Sequence, residues 1–384
     1  MSETIQPFHL SVPEAELAAL RARLAGTRWP DRETVPDASQ GPPLATIQAL
    51  CAYWQDGYDW RRCEAVLNGF GQFRTTIDGL GIHFLHVRSP EADALPLLMT
   101  HGWPGSVLEF RHVIGRLTDP VAHGGSAGDA FHLVIPSLPG FGFSDRPAET
   151  GWGVARVADA WIELMGRLGY ERWGAQGGDW GSAVTEAIGR KAPAGCVGLH
   201  FNFPQAFPTP QEMADATPQE QAMIASAMHY QEMLSGYSKE QSTRPQTIGY
   251  ALSDSPVGLA AWIYTLFQDV SDTDGRPEAT LGMDAILDDV MLYWLPNTAA
   301  SSARLYWEAA QAGAGGQSPG GPNPTPAGFS VFPGEMIRAS RRWLEKRYTT
   351  ILHFNELERG GHFAAMEQPV VFADEVRSTF RSVR

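Results

Sequence analysis

The stretch Gly177-Gly178-Asp179-Trp180-Gly181 constrains this chain more than any other. It follows a short apolar run, Arg172-Trp173-Gly174-Ala175, and precedes a helix-compatible segment, Ser182–Gly189. A strand that enters a helix through such a turn is the setting of a nucleophile elbow, where small residues two before and two after the centre let the backbone pass. The central residue of such elbows is usually Ser, and here it is Asp. A serine attacking an sp3 carbon would form an ether, a dead end for hydrolysis. A carboxylate attacking the same carbon forms an ester, which water can open at its carbonyl, and Asp is ionised at neutral pH without help from a base. The pattern points to an electrophilic carbon such as that of an epoxide or an alkyl halide. On these five residues alone, a glycine turn carrying a surface Asp fits as well.

Apolar runs and helix-compatible segments alternate on both sides of this turn. Residues 8–30 are expected as an amphipathic helix, with Ser11 and Pro13-Glu14 as its start and Leu17, Leu20 and Leu24 at helical spacing. Leu44–Tyr58 and a shorter stretch to Leu67 complete a helical extension. Phe73–Ile77 and Ile82–Val87, split by Asp78-Gly79-Leu80-Gly81, predict a hairpin. Leu97–Thr100 and His132–Pro136 predict strands around the helix Val107–Leu117, which is βαβ logic and implies a parallel sheet. Ala155–Leu168 is expected as the helix before the elbow strand, and Val197–Phe201 as the strand after the elbow helix. The pattern then turns helical from about Pro204 to Gly316, over Gln211–Leu234, Val257–Val270, Ala285–Leu295 and Ser301–Ala312. Gly313–Pro326 reads as a loop, strands return at Gly328–Phe332 and Ile351–Asn355, and Val370–Phe380 closes as a helix. The expected fold is α/β: a mostly parallel eight-stranded sheet with a helical lid inserted after the sixth strand. Its parts are an extension over 1–71, core over 72–203, lid over 204–322 and core again over 323–384.

Composition narrows the partners. The formal net charge of −14, with no long basic cluster, argues against nucleic acid and anionic lipid. No apolar run approaches a membrane span, and Met1-Ser-Glu-Thr-Ile-Gln lacks the features of a secretory signal. Cys51, Cys63 and Cys196 are odd in number and lack metal spacing, as expected of free thiols in a reducing cytoplasm. A soluble cytoplasmic protein is expected, without metal or cofactor, and a homo-oligomer is left open.

An elbow, then an acid, then a histidine is the order of the α/β-hydrolase arrangement. His362, in Arg359-Gly-Gly-His-Phe, follows the last expected strand and is the candidate base. His83 and His86 face opposite sides of one strand, and His132, His200 and His353 lie within strands, so these are expected as structural residues. For the acid, Glu335 in Val331-Phe-Pro-Gly-Glu follows the seventh expected strand, whereas the position after the sixth reads Phe201-Asn-Phe. Glu345, Glu356 and Glu358 are alternatives with ordinary surface readings. The loop His101-Gly-Trp-Pro-Gly105 places the N–H of Trp103 as an oxyanion donor, with that of Trp180 as a second. Gly124-Gly-Ser126-Ala-Gly matches a serine elbow literally, yet follows no strand and opens no helix, so Ser126 is expected as a loop serine. Epoxide opening needs an acid for the leaving oxygen, and the insertion carries six phenols: Tyr230, Tyr237, Tyr250, Tyr264, Tyr293 and Tyr306. Chemistry alone does not choose among them.

Over nearly its whole length the chain resembles epoxide hydrolases of the microsomal and juvenile-hormone type. The extension is similar in Leu20-Arg-Ala-Arg-Leu24, Thr27-Arg-Trp-Pro30, Tyr58-Asp-Trp-Arg61 and Ile77-Asp-Gly79. The core is similar in His101-Gly-Trp-Pro-Gly-Ser106, Gly140-Phe-Gly-Phe-Ser144, Gly177-Gly-Asp-Trp-Gly181 and Gly360-Gly-His-Phe363. The lid is similar in Ser253-Asp-Ser-Pro-Val-Gly-Leu259, Met291-Leu-Tyr-Trp294 and Ser301 through Tyr306. The resemblance implies Asp179 as nucleophile, His362 as base, Glu335 as its partner, and Tyr237 and Tyr306 as lid phenols. It also implies a cis Trp103-Pro104 bond, no cofactor, and an epoxide as substrate, and the aromatic content makes a small apolar epoxide the expected one. Membrane-bound relatives carry an N-terminal hydrophobic anchor, whereas this sequence starts directly in the extension. The nearest rival is a haloalkane dehalogenase, which uses the same Asp elbow without need of phenols. A rival of another class is a non-catalytic receptor for a small apolar ligand.

Overall fold

In the computed structural model, which describes residues 4–313 and 321–384, a nine-stranded sheet organises the chain. Its strands are β1 (Gln6–Phe8), β2 (Gln72–Ile77), β3 (Leu80–Val87), β4 (Leu95–Thr100), β5 (Phe131–Pro136), β6 (Trp173–Gly177), β7 (Cys196–Phe201), β8 (Ala327–Val331) and β9 (Ile351–Glu356). They stand side by side in the order β1-β2-β3-β5-β4-β6-β7-β8-β9. The pairs from β1 to β5 along this order are antiparallel, and all the others are parallel. β5 and β8 are buried along their whole length, as strands covered by helices on both faces must be. The eight expected strands are present, and β1 is a ninth.

That ninth strand corrects the expected helix over residues 8–30. Gln6–Phe8 pairs with Gln72–Arg74, and the helix α1 spans only Glu14–Ala25. The intervening N–H groups find acceptors on the third helix instead: Leu10 donates to Asn68 Oδ1 at 2.9 Å and Val12 to Glu64 Oε1 at 2.6 Å. Pro13 then has extended ψ, so no helix runs back through it. The rest of the extension is α2 (Leu44–Asp56) and α3 (Trp60–Gly69). Helices α4 (Arg111–Thr118), α5 (Val154–Arg167) and α6 (Asp179–Lys191) connect the strands of the core.

The insertion between β7 and β8 comprises α7 (Pro210–Ala214), α8 (Pro218–His229), α9 (Gly236–Thr243), α10 (Pro245–Asp254), α11 (Pro256–Val270), α12 (Pro277–Thr280), α13 (Met283–Trp294) and α14 (Ala299–Gln311). The single helix expected over Gln211–Leu234 is three pieces: α7, α8 and a π-helical turn, Tyr230–Leu234. Thr209 and Thr217 each start a helix with a full capping box to Glu212 and Glu220, and a proline follows each cap. These start signals outweigh continuity of the helical pattern. Of the expected loop Gly313–Pro326, residues 314–320 lie outside the described residues. The chain closes through α15 (Arg341–Leu344), α16 (Ala364–Glu367) and α17 (Pro369–Phe380).

Extension, core and insertion meet at Asp288 on α13, whose side chain is 1% exposed. It accepts hydrogen bonds from Tyr58 and Arg62 of the extension at 2.7 and 2.8 Å and from Arg111 of the core at 2.6 Å. A carboxylate this buried stands only with such partners, so its replacement by Ala would strand two guanidinium groups and a phenol. Among the described residues no helix is long and apolar enough to cross a membrane.

Candidate active site

The site is assembled at the carboxyl ends of the parallel strands. The loop after β4 carries Trp103, Asp179 opens α6 just after β6, the loop after β8 carries Glu335, and that after β9 carries His362. Asp179 sits at φ 45°, in the left-handed region that a strained elbow requires. Its surroundings explain the glycines. A Cβ on Gly177 would lie 2.1 Å from Gly181 O, and one on Gly181 1.9 Å from Thr100 O. A Cβ on Gly102 would meet Asp179 Oδ1 at 2.1 Å, so the facing loop must also be bare. Asn202, at the carboxyl end of β7 where some hydrolases keep an acid, lies against Gly178 and accepts from Gln176 Nε2 at 2.8 Å.

Glu335 and Asp179 flank His362. Nδ1 of the imidazole lies 2.8 Å from Glu335 Oε2, and Nε2 lies 3.4 Å from Asp179 Oδ2. Glu335 is 1% exposed, and its other oxygen accepts the Met336 N–H at 2.8 Å. Burial disfavours the imidazolium, but Glu335 and Asp179 outweigh it and hold His362 well above the usual histidine range. The Trp103 N–H donates to Asp179 Oδ1 at 2.8 Å, and the bond from Trp103 to Pro104 is cis. Trp180 is the second residue of α6, where a helix N–H has no intrahelical acceptor.

The insertion closes the site from above. Tyr237 stacks on the Trp103 indole at 5.1 Å and 14°, and Tyr306 meets Trp103 edge-on at 5.9 Å and Trp180 at 4.7 Å. The two tyrosine rings are 6.0 Å apart. Burial pushes both phenols well above their ordinary range, and the charge of Asp179 adds to it, so both hold their protons at neutral pH. Of the other four tyrosines, only Tyr230 joins the pair. Tyr230 bonds Tyr237, Tyr264 donates to Glu278, Tyr293 donates to Gly105 O at 2.7 Å, and Tyr250 is 72% exposed.

The remaining candidates fall elsewhere. Glu345 pairs with Arg341, Glu356 accepts from Gln219, and Glu358 is exposed. His83, His132 and His353 bond Ser137 and Gln72, Ser89, and Glu375 respectively, His86 bonds Tyr170, and His200 bonds Ser330 through Nε2 while its buried Nδ1 has no partner. Ser126 is exposed in the loop before β5. One acid carries no mark in the sequence. Glu367 accepts the N–H groups of Gly361 and Phe363, on either side of His362, at 2.9 and 3.0 Å, and that of Asp272 at 2.7 Å. Burial pushes its carboxyl up to about 7 against the pull of these donors. A Gly-His-Phe loop before a short helix was the available signal, but nothing in the spacing singled out this glutamate.

Residues 5–110 match the family described as epoxide hydrolase N terminus, and residues 96–294 match alpha/beta hydrolase fold. "Epoxide hydrolase 1" of Sus scrofa is 33% identical over 400 residues, covering 98% of this chain and 88% of that protein. The chain belongs to the epoxide hydrolase family. A Stigmatella aurantiaca (strain DW4/3-1) protein, provisionally named an epoxide hydrolase, is 56% identical over 380 residues, 99% of this chain and 86% of its own. The crystal structure of juvenile hormone epoxide hydrolase from Bombyx mori superposes with a TM-score of 0.91 at 28% identity, over 100% of this chain and 95% of that one. The Aspergillus niger epoxide hydrolase structure gives 0.87 at 31% identity, over 100% and 97%.

Proposed function

We propose that this epoxide hydrolase forms its diol through a covalent ester on Asp179. The Asp179 carboxylate attacks one epoxide carbon while Tyr237 and Tyr306 hydrogen-bond the oxygen, which takes a proton as the ring opens. His362, oriented by Glu335, then removes a proton from water as that water attacks the ester carbonyl. The N–H groups of Trp103 and Trp180 receive the oxyanion, and its collapse expels the diol oxygen, which takes the proton from His362, while the proton left on the re-formed Asp179 carboxyl restores the phenol that gave one up. The observation that carries this reading is the convergence of the His362–Glu335 pair and the two buried phenols on one carboxylate. Esterification removes the Asp179 charge, one of the two that hold the imidazolium in place, so the His362 pKa falls at the stage when water must be activated.

The phenols favour epoxide over alkyl halide, because a departing halide needs N–H donors and no proton. The aromatic surroundings, including Phe203 with its ring 5.4 Å from that of His362, support a small apolar epoxide. A cytoplasmic location belongs to the same proposal and is supported by three free thiols. Single turnover of an epoxide in 18O water tests the route, with label expected in the Asp179 carboxylate. Label confined to the diol on the first turnover would sink the covalent step.

A further inference from the structure

Tyr237 has a hydrogen-bond partner that two-phenol chemistry leaves unused. The Tyr230 hydroxyl lies 2.9 Å from that of Tyr237. Seven residues of straight helix would set the two about 10 Å apart along the axis. The π-helical turn Tyr230–Leu234 and the break at Ser235, before α9, bring them together instead. Tyr230 is half-buried, and Tyr237 is 9% exposed with the Trp103 indole on its face.

We propose that Tyr230 is a positioning residue for ring opening, donating its hydroxyl proton in a hydrogen bond to the Tyr237 oxygen. A phenol has one proton, so a Tyr237 that accepts from Tyr230 has its own proton free for the epoxide oxygen. This rests on the Asp179, Tyr237 and Tyr306 reading above. The step balances. The epoxide C–O bond breaks as Asp179 bonds to carbon, the oxygen takes the Tyr237 proton, and Tyr237 keeps the electron pair as phenolate. Tyr230 retains its own proton throughout. Its hydrogen bond becomes charge-assisted at that moment, about twice as strong as a neutral one. The gain therefore falls on the transition state rather than on the resting enzyme. The groups that face Tyr230 are Tyr237 and Ser238 by hydrogen bond, and Asp179 and Glu335 by charge.

The test is single-turnover ester formation with an aryl epoxide, followed by the fluorescence of Trp103 and Trp180, from neutral to alkaline pH. Tyr230→Phe is expected to slow ester formation about ten-fold. Hydrolysis of the ester should be unchanged, and the alkaline limb of the ester-formation profile should move up, because the Tyr237 phenolate has lost its donor. In a Tyr237→Phe background the same change should add nothing. Three results overturn the proposal: ester formation within about two-fold of the parent, an unmoved alkaline limb, or equal slowing in the Tyr237→Phe background. If Tyr237→Phe slows ester formation and Tyr230→Phe does not, only the Tyr230 role fails. If Tyr237→Phe leaves ester formation untouched, the phenol chemistry falls with it.

Discussion

The two halves of the site are built in different ways. On the core side, Asp179, Glu335 and His362 follow the carboxyl ends of β6, β8 and β9, and backbone contact fixes the elbow. The elbow has no room for a side chain, because a Cβ on Gly181 would strike Thr100 O and one on Gly102 would strike Asp179 itself. On the insertion side, Tyr237 and Tyr306 come from separate helices, and aromatic packing on Trp103 and Trp180 sets their place. Gly236, beside Tyr237, faces open space: a Cβ there would meet nothing within 4 Å. The proposed nucleophile is placed by close backbone fit. The proposed phenols are placed by ring packing instead, which suits loops and lids that tune one chemistry to many substrates.

The largest expected effect strikes that backbone fit. In Gly181→Ala the new methyl meets backbone on β4, which cannot rotate away, so activity should be lost and the midpoint of thermal unfolding should fall by several degrees. Near-parental activity and stability in that variant would break the contrast. Next is Glu335→Gln, which keeps the shape of the side chain but removes a charge that holds His362 in its imidazolium form. Ester hydrolysis should slow by about 10³ through loss of orientation, leaving alkylated enzyme visible as a mass increase. The sign of the pH effect follows. With the charge gone the His362 pKa drops, the neutral base survives to lower pH, and the acid limb of the residual hydrolysis rate should move down. An acid limb that moves up would contradict the assignment of Glu335 as the partner of His362.

How much of this was legible in sequence follows the same division. Asp179, Glu335 and His362 stand just past runs of strand residues, so reading the strands located them. The cis proline and the choice of Tyr237 and Tyr306 came from resemblance, because six phenols in a helical region carry no mark of which face they share. Tyr230 and Glu367 were illegible for a physical reason. One meets Tyr237 across a π-turn that shifts helical phase, and the other accepts three backbone N–H groups that no side-chain pattern records. β1 was missed because three residues are too short to alternate visibly.

The paired phenols come third. Tyr237→Phe with Tyr306→Phe removes both proposed proton donors but leaves the rings that pack on Trp103 and Trp180, so the fold should be unchanged. Ester formation should fall by about 10² to 10³ with ester hydrolysis unaffected, as single-turnover mixing separates the two. Full epoxide turnover in the double variant would move the acid to another group and dissolve the insertion half of the contrast.

The smallest expected effect is the most pointed, because it sets one glycine against another. Gly236 opens α9 one residue before Tyr237, has ordinary helical backbone, and faces open space. Ala there should stabilise the helix by about 0.5–1 kcal/mol, since a residue that suits its native conformation limits the unfolded chain. If aromatic packing rather than backbone fit places Tyr237, kcat should stay within about two-fold of the parent despite the stiffer neighbour. A loss comparable to that of Gly181→Ala would mean that the insertion is as tightly specified as the elbow. The measurement is a melting curve and a turnover number on the same preparation, and opposite signs for Gly181→Ala and Gly236→Ala in the melt are what the two kinds of construction require.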